Sequence, residues 1–160
     1  MSSRVPAHPG SRWLAAGGVL SILAAVLHLA VIAGGPDWYR AVGAGEEMAA
    51  AAASGSAMPA LVTAAIAIIL AIWGLIAFSG AGYVRRLPLL RTALIGIAAI
   101  YLARGLLVVP LLLTQPGGLM APEPWASLIV LAYGTVYAVG TAKGWRVLRP
   151  RQGTPASTAK

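Results

Sequence analysis

Four long apolar stretches occupy most of this chain, and they constrain its fold more than any other feature. A helix needs about 20 consecutive apolar residues to cross the ~30 Å hydrocarbon core of a bilayer. Four stretches are close to that length, and glycine, proline or charged residues end each of them. Their approximate bounds are 13–33, 59–79, 89–113 and 125–142. The sequence therefore predicts an all-α integral membrane protein built as a bundle of four transmembrane helices.

The amino-acid composition agrees with a membrane location. Hydrophobic residues make up 59% of the chain and charged residues only 10%, against about 25% charged residues in a typical soluble domain. A soluble protein of 160 residues could not bury that much apolar surface. We therefore expect a single transmembrane domain over residues 1–149, followed by a disordered cytoplasmic tail over 150–160. The first stretch is too long for a secretory signal peptide, so we expect an uncleaved span.

The charged residues divide between the two sides of the predicted spans. Ten of the twelve lysines and arginines flank the spans at the two termini and in the middle loop, where no acidic residue occurs. Since basic residues remain on the cytoplasmic side, both termini are predicted to be cytoplasmic. Topology thus accounts for the net charge of +8, and no nucleic-acid partner is expected. All four acidic residues fall on the other side: Asp37, Glu46, Glu47 and Glu123.

The cellular location is predicted from residue usage and topology. Arginine outnumbers lysine, and alanine and glycine are abundant, which is typical of proteins from GC-rich bacterial genomes. In size and hydropathy the chain resembles small four-helix inner-membrane proteins of bacteria. We therefore expect a multi-pass protein of the inner, or cytoplasmic, membrane.

The loop between the first two spans, residues 34–58, contains signals for two short helices. Pro36 suits the first turn of a helix, and Gly43 suits its end. Glu46 and Glu47 then precede a run of alanines, which places two acidic side chains at the positive end of a second helix. The sequence predicts two short helices on the outer face of the membrane.

Small residues recur at helical spacing along the spans, and such residues let helix backbones approach closely inside a bilayer. The predicted stripes are Gly17, Ser21, Ala24 and His28 in the first span, Thr63, Ala67 and Gly74 in the second, and Gly134, Ala138 and Thr141 in the fourth. We expect these faces to line the inside of the bundle.

One arginine lies within a predicted span. Arg104 precedes Leu113, the end of the third span, by nine residues, or roughly 13 Å along a helix. A charge at such depth costs at least about 2.5–3.5 kcal/mol, so intramembrane arginines usually face inward and pair. Because no acidic residue lies within a span, Glu46 or Glu47 is the predicted partner of Arg104.

Other polar residues of the outer half are expected near Arg104. His28 lies in the outer part of the first span, Tyr101 one turn below Arg104, and Tyr133 at a similar depth in the fourth span. Two interpretations remain open, an outward-open ligand or ion site and a buried structural network. The candidate residues for either are His28, Glu46, Glu47, Tyr101, Arg104 and Tyr133.

Several kinds of chemistry have no support in the sequence. The absence of cysteine excludes disulfides, thiolate metal sites and cysteine nucleophiles. Ser21 and Ser79 have no adjacent base that would activate a nucleophile. The sequence contains no phosphate-binding loop, no zinc-binding helix motif and no pair of histidines suited to haem. We therefore predict no catalytic residue, no metal and no cofactor.

Four functions are compatible with this pattern. The favoured hypothesis is a membrane protein that binds a small molecule or lipid at its outer face, or that supports a membrane assembly. A first alternative is an oligomeric transporter that holds a small anionic substrate with Arg104. A second is a purely structural accessory subunit, partnered by another membrane protein. A membrane enzyme using His28 with Glu46 or Glu47 has the least support, because nothing in their spacing imposes a catalytic geometry.

Overall fold

The computed structural model describes residues 4–107 and 122–149, and all regular secondary structure within them is helical. This confirms the predicted all-α class. The predicted tail, 150–160, and the last part of the third predicted span, 108–113, lie outside the described residues. The helices are α1 (Ser11–Gly34), α2 (Pro36–Ala41), α3 (Glu46–Ala53), α4 (Met58–Ala81), α5 (Leu90–Leu106) and α6 (Pro122–Lys143).

Three of the described helices are long and apolar enough to cross a membrane. They are α1 and α4, each of 24 residues, and the Trp125–Lys143 part of α6, with 19 residues. These helices coincide with the first, second and fourth predicted spans. The described part of α5, 17 residues, coincides with the first part of the third. Their length and composition indicate a membrane protein.

The outward faces of α1 and α4 are apolar. Leu23 of α1 is 58% exposed, and Leu61 and Ile68 of α4 are 69% and 61% exposed. Soluble monomers rarely expose large continuous apolar surfaces. Acyl chains are the natural contact for these side chains, so the surface agrees with the hydropathy of the helices.

The four long helices pack side by side, and each packs mainly against two of the others. α1 packs along α4 and α5 along α6, while α1 also contacts α6 and α4 contacts α5. Glycines allow the α5–α6 contact. A Cβ atom at Gly105 would lie 2.7 Å from the Cα of Leu131, and one at Gly134 would lie 2.8 Å from the backbone nitrogen of Leu102. The two backbones therefore touch, as small residues permit inside a bilayer.

At one end of the helices, which we term the basic end, the segment before α1 packs with the α4–α5 turn and the turn after α6. The Nε2–H of His8 donates to the carbonyl oxygen of Gly80 (3.0 Å), while its Nδ1 accepts from the backbone N–H of Gly10 (3.1 Å). His8 thus ties the N-terminal segment to α4. The basic residues at this end are Arg4, Arg12, Arg85, Arg86, Arg91, Lys143, Arg146 and Arg149.

The opposite end carries α2 and α3, as the loop sequence predicts. Gly43 and Gly45, between the two helices, have φ angles of 75° and 93°, a left-handed conformation that glycine adopts without strain. The ring of Tyr39 is only 2% exposed and packs with Val31 of α1 and Ala49 of α3. The prediction of two short helices is confirmed, and they form a packed cap on α1.

Candidate functional site

A hydrogen-bonded cluster of hydroxyl groups lies at the centre of the packed helices. The Ser21 Oγ lies 3.1 Å from the Tyr101 hydroxyl oxygen and 2.8 Å from that of Tyr137. Tyr137 also donates to the backbone carbonyl oxygen of Trp73 (3.2 Å). Since a tyrosine hydroxyl has one hydrogen, Ser21 donates to Tyr137 and accepts from Tyr101. This chain of hydrogen bonds joins α1, α4, α5 and α6.

Aromatic rings fill the space around these hydroxyl groups. The Tyr101 ring centroid lies 5.0 Å from that of Trp73 and 5.7 Å from that of Tyr133, both in edge-to-face geometry. Gly17 makes room for Tyr137, because a Cβ atom there would lie 2.9 Å from the ring. Ser21 and Tyr137 are fully buried. We call Ser21, Trp73, Tyr101, Tyr133 and Tyr137 the central cluster; its geometry is that of a helix-packing core.

The central cluster contains two of the six predicted site residues. Tyr101 and Tyr133 meet there, but Tyr101 is 5% exposed and turns toward Ser21, whereas Arg104 is exposed. Sequence analysis did not single out Tyr137. Its signal was the four-residue spacing from Tyr133, which places the two rings on one side of α6.

Arg104 lies on the surface of the packed helices, contrary to the expectation that it faces inward. Its Nη1 donates to the hydroxyl oxygen of Ser127 on α6 (3.1 Å). Ser127 follows Trp125 by two residues, or about 3 Å along the helix. The long arginine side chain thus carries its charge toward the end of α6, away from the middle of the spans.

The predicted pairing of Arg104 with a loop glutamate is not formed. The Glu46 carboxylate accepts instead from the Nη2 (2.8 Å) and Nε (2.9 Å) of Arg40, while Glu47 is exposed. Arg40 also pairs with Asp37 (3.1 Å). The reason is local: the turn between α2 and α3 brings Arg40 and Glu46 together. Hydrogen bonding by Arg40 lowers the pKa of the Glu46 carboxyl, which keeps the pair ionised.

His28 bonds to its own helix. Its Nδ1–H donates to the carbonyl oxygen of Ala24 (2.7 Å), and the half-buried ring makes no hydrogen bond to any other predicted site residue. The structure therefore brings Tyr101 and Tyr133 together and gives Arg104, His28 and Glu46 separate partners.

The described residues limit the chemistry that the candidate site residues can perform. No three histidine or acidic side chains among them lie close enough to hold a metal ion. Ser21 is bonded to tyrosine hydroxyls, which are not general bases at neutral pH. Arg104 has five N–H donors, and Ser127 is its hydrogen-bond partner among the described residues. Its exposed guanidinium is suited to bind a carboxylate or a phosphate.

Comparison of the chain with models of known protein families finds no match. Neither curated proteins nor solved structures give a match. The functional argument therefore rests on the residues and geometry of this chain.

Proposed function

We propose that this chain is a four-span protein of the cytoplasmic membrane that binds a small anionic group at its outer face through Arg104. The basic end would face the cytoplasm and α2 and α3 would lie outside. The exposed guanidinium of Arg104, bonded to Ser127, is the observation on which the proposal rests.

The orientation is supported by the charges at the two ends. Eight basic residues and no acidic residue lie at the described basic end. The α2–α3 end carries Asp37, Glu46 and Glu47, with Arg40 held between Asp37 and Glu46. Such an asymmetry across short loops is typical of membrane proteins whose basic side is cytoplasmic.

The position of α5 supports a fourth span. α5 packs along α6, and its start at Leu90 lies at the basic end. Between Leu90 and Arg104 it rises through fourteen residues, or about 21 Å. This covers most of a ~30 Å hydrocarbon core.

The ligand would be a carboxylate or phosphate that reaches Arg104 from the outer side. Arg104 follows the buried residues Ile97 and Tyr101 at seven- and three-residue spacing, so it lies at the border of the packed face of α5. Glu46 does not compete for Arg104, because Arg40 binds its carboxylate. The Ser127 hydroxyl fixes one side of the guanidinium and leaves N–H groups that suit an anion.

Binding is favoured over transport through a single copy because of the central cluster. Ser21 and Tyr137 have no exposed surface, and Tyr101 is 5% exposed. These side chains fill the space between the helices below Arg104, on the line that a substrate would have to follow. A purely structural role for Arg104 is the other alternative, and ligand-dependent stability distinguishes it from binding.

Arg104→Gln is expected to abolish stabilisation of the protein by added anions. Thermal unfolding in neutral detergent would be measured against inorganic phosphate and against dihexanoyl phosphatidic acid, a soluble phosphate ester with short acyl chains. A ligand at a hundred times its Kd stabilises the folded state by about 2.7 kcal/mol. Response to both probes indicates a site for free anions, and response to the second alone indicates a lipid headgroup.

The double variant Arg40→Gln/Glu46→Gln is the matched control, since it removes the other basic residue of the same end without freeing the Glu46 carboxylate. It should leave the anion-dependent shift intact. An equal shift in wild type and Arg104→Gln would contradict the proposal. So would a destabilised Arg104→Gln protein together with a wild type that responds to neither probe, which would assign Arg104 a structural role.

A further inference from the structure

An apolar groove runs between α5 and α6, from Trp145 at the basic end to Leu102, and Arg104 does not line it. Its volume is about 300 Å³. The lining residues recur at three- and four-residue spacing on each helix, so they form one face of each. Small alanine side chains leave the space open. The lining includes Ala98, Ala99 and Leu102 of α5, together with Ala138, Thr141 and Trp145 on the facing side.

The groove contains one polar side chain without a partner. Thr141 is only 4% exposed, and its Oγ1 has no hydrogen-bond partner. A buried hydroxyl in that condition is unfavourable, so buried hydroxyls are normally bonded. A ligand in the groove that carries a carbonyl oxygen would supply the missing acceptor once a χ1 rotation turns the Thr141 hydroxyl toward the groove.

A cation and an aromatic ring close the groove at the basic end. The guanidinium carbon of Arg91 lies 3.7 Å from the ring centroid of Trp145. Stacking uses the face of the guanidinium and leaves its N–H groups directed outward in the plane. None of the described residues accepts a hydrogen bond from the Arg91 side chain. Lys143 and Arg146, both exposed, add positive charge beside this end.

We infer that the groove holds an acyl chain of an anionic phospholipid from the membrane leaflet at the basic end. Arg91 binds the phosphate, and the Thr141 hydroxyl donates to an ester carbonyl oxygen. The order of the groups matches the lipid, because Thr141 lies in the last turn of α6 and Trp145 lies beyond the end of that helix, nearer the basic end. In a glycerophospholipid the ester groups likewise lie deeper than the phosphate. The acyl chain then follows the alanines toward Leu102.

The charges favour a lipid over a second copy of this chain. Copies inserted in one membrane share one orientation, so the basic end of each would face the basic end of the other. Arg91, Lys143 and Arg146 would then meet like charges, which is unfavourable at an interface. An anionic headgroup instead neutralises them. This inference goes beyond the proposed function, since it concerns a different site and does not involve Arg104.

The test is lipid binding by the full chain in neutral detergent, measured by native mass spectrometry. Phosphatidylglycerol and phosphatidylcholine with identical acyl chains are added in equal amounts. Wild type is expected to prefer phosphatidylglycerol by about tenfold, because it has a net negative charge for the basic side chains to attract, whereas the choline cation of phosphatidylcholine offsets its phosphate. Arg91→Gln should remove this preference. Ala142 also lines the groove, so Ala142→Phe, which fills the groove without changing any charge, should reduce the binding of both lipids.

Arg85→Gln is the matched control, because it removes one charge from the same end without touching the groove. It should keep the preference, as should Arg104→Gln, which separates this test from that of the outer site. Circular dichroism confirms that each variant is folded. Equal loss in Arg85→Gln and Arg91→Gln would overturn the inference, and so would unchanged lipid binding by Ala142→Phe. Conversion of a dimer to a monomer by Ala142→Phe, with lipid binding unaltered, would assign the groove to a second copy.

Discussion

Gly105→Ala is expected to destabilise the packed helices by about 2–3 kcal/mol, the upper part of the usual cost of overpacking. The new Cβ atom would lie 2.7 Å from the Cα of Leu131 and 2.8 Å from its backbone nitrogen. Backbone atoms cannot turn aside as a side chain can, so α5 and α6 must separate. Titration of the protein in mild detergent with sodium dodecyl sulfate, followed by circular dichroism, measures the loss.

Gly96→Ala provides the control, since it makes the same change on the same helix. A Cβ atom at Gly96 meets no other atom within 4 Å. Replacing a helical glycine by alanine at an open position stabilises a helix by roughly 0.5–1 kcal/mol. The two substitutions should therefore differ in sign. Equal effects would show that α5 and α6 do not touch at Gly105.

Tyr137→Ala should cost about 3–5 kcal/mol, as truncation of a large buried aromatic residue does. The side chain is fully buried and contacts Gly17 and Tyr101. Its hydroxyl also bonds Ser21 and the carbonyl oxygen of Trp73. Tyr137→Phe keeps the ring and removes these bonds, so it should cost about 1–3 kcal/mol. The same titration measures both losses.

An exposed tyrosine provides the comparison for Tyr137. Tyr83, in the α4–α5 turn, is 64% exposed, and its replacement by alanine should change stability by no more than about 0.5 kcal/mol. If Tyr137→Ala were as mild as Tyr83→Ala, the central cluster would not be the core of the helix packing.

The sequence predicts the helices well because their signals are local. Hydropathy places α1 and α4 within two residues of the predicted spans at either end. The bounds of α2 and α3 follow from Pro36, Gly43 and the two glutamates, which act on their own helix ends. In the first predicted stripe Gly17 and Ser21 are buried, whereas Ala24 and His28 are half-buried.

The side-chain partners are less predictable from the sequence. They depend on the direction in which each side chain extends, whereas the sequence gives only the position of the residue along its helix. Arg104 lies where the sequence places it along α5, but sequence does not show that its side chain extends to Ser127. Glu46 pairs with Arg40 because the α2–α3 turn brings them together. Tyr137 becomes central because Gly17 on another helix makes room for its ring.

The central claim is a four-span topology with both termini in the cytoplasm, and cysteine labelling tests it directly. The chain has no cysteine, so single substitutions Ala44→Cys and Gly153→Cys each introduce one thiol. A membrane-impermeant maleimide added to intact spheroplasts should label Ala44→Cys, in the exposed turn between α2 and α3. It should label Gly153→Cys only after the membrane is permeabilised. Labelling of Gly153→Cys alone would reverse the orientation, and labelling of both from outside would contradict four spans.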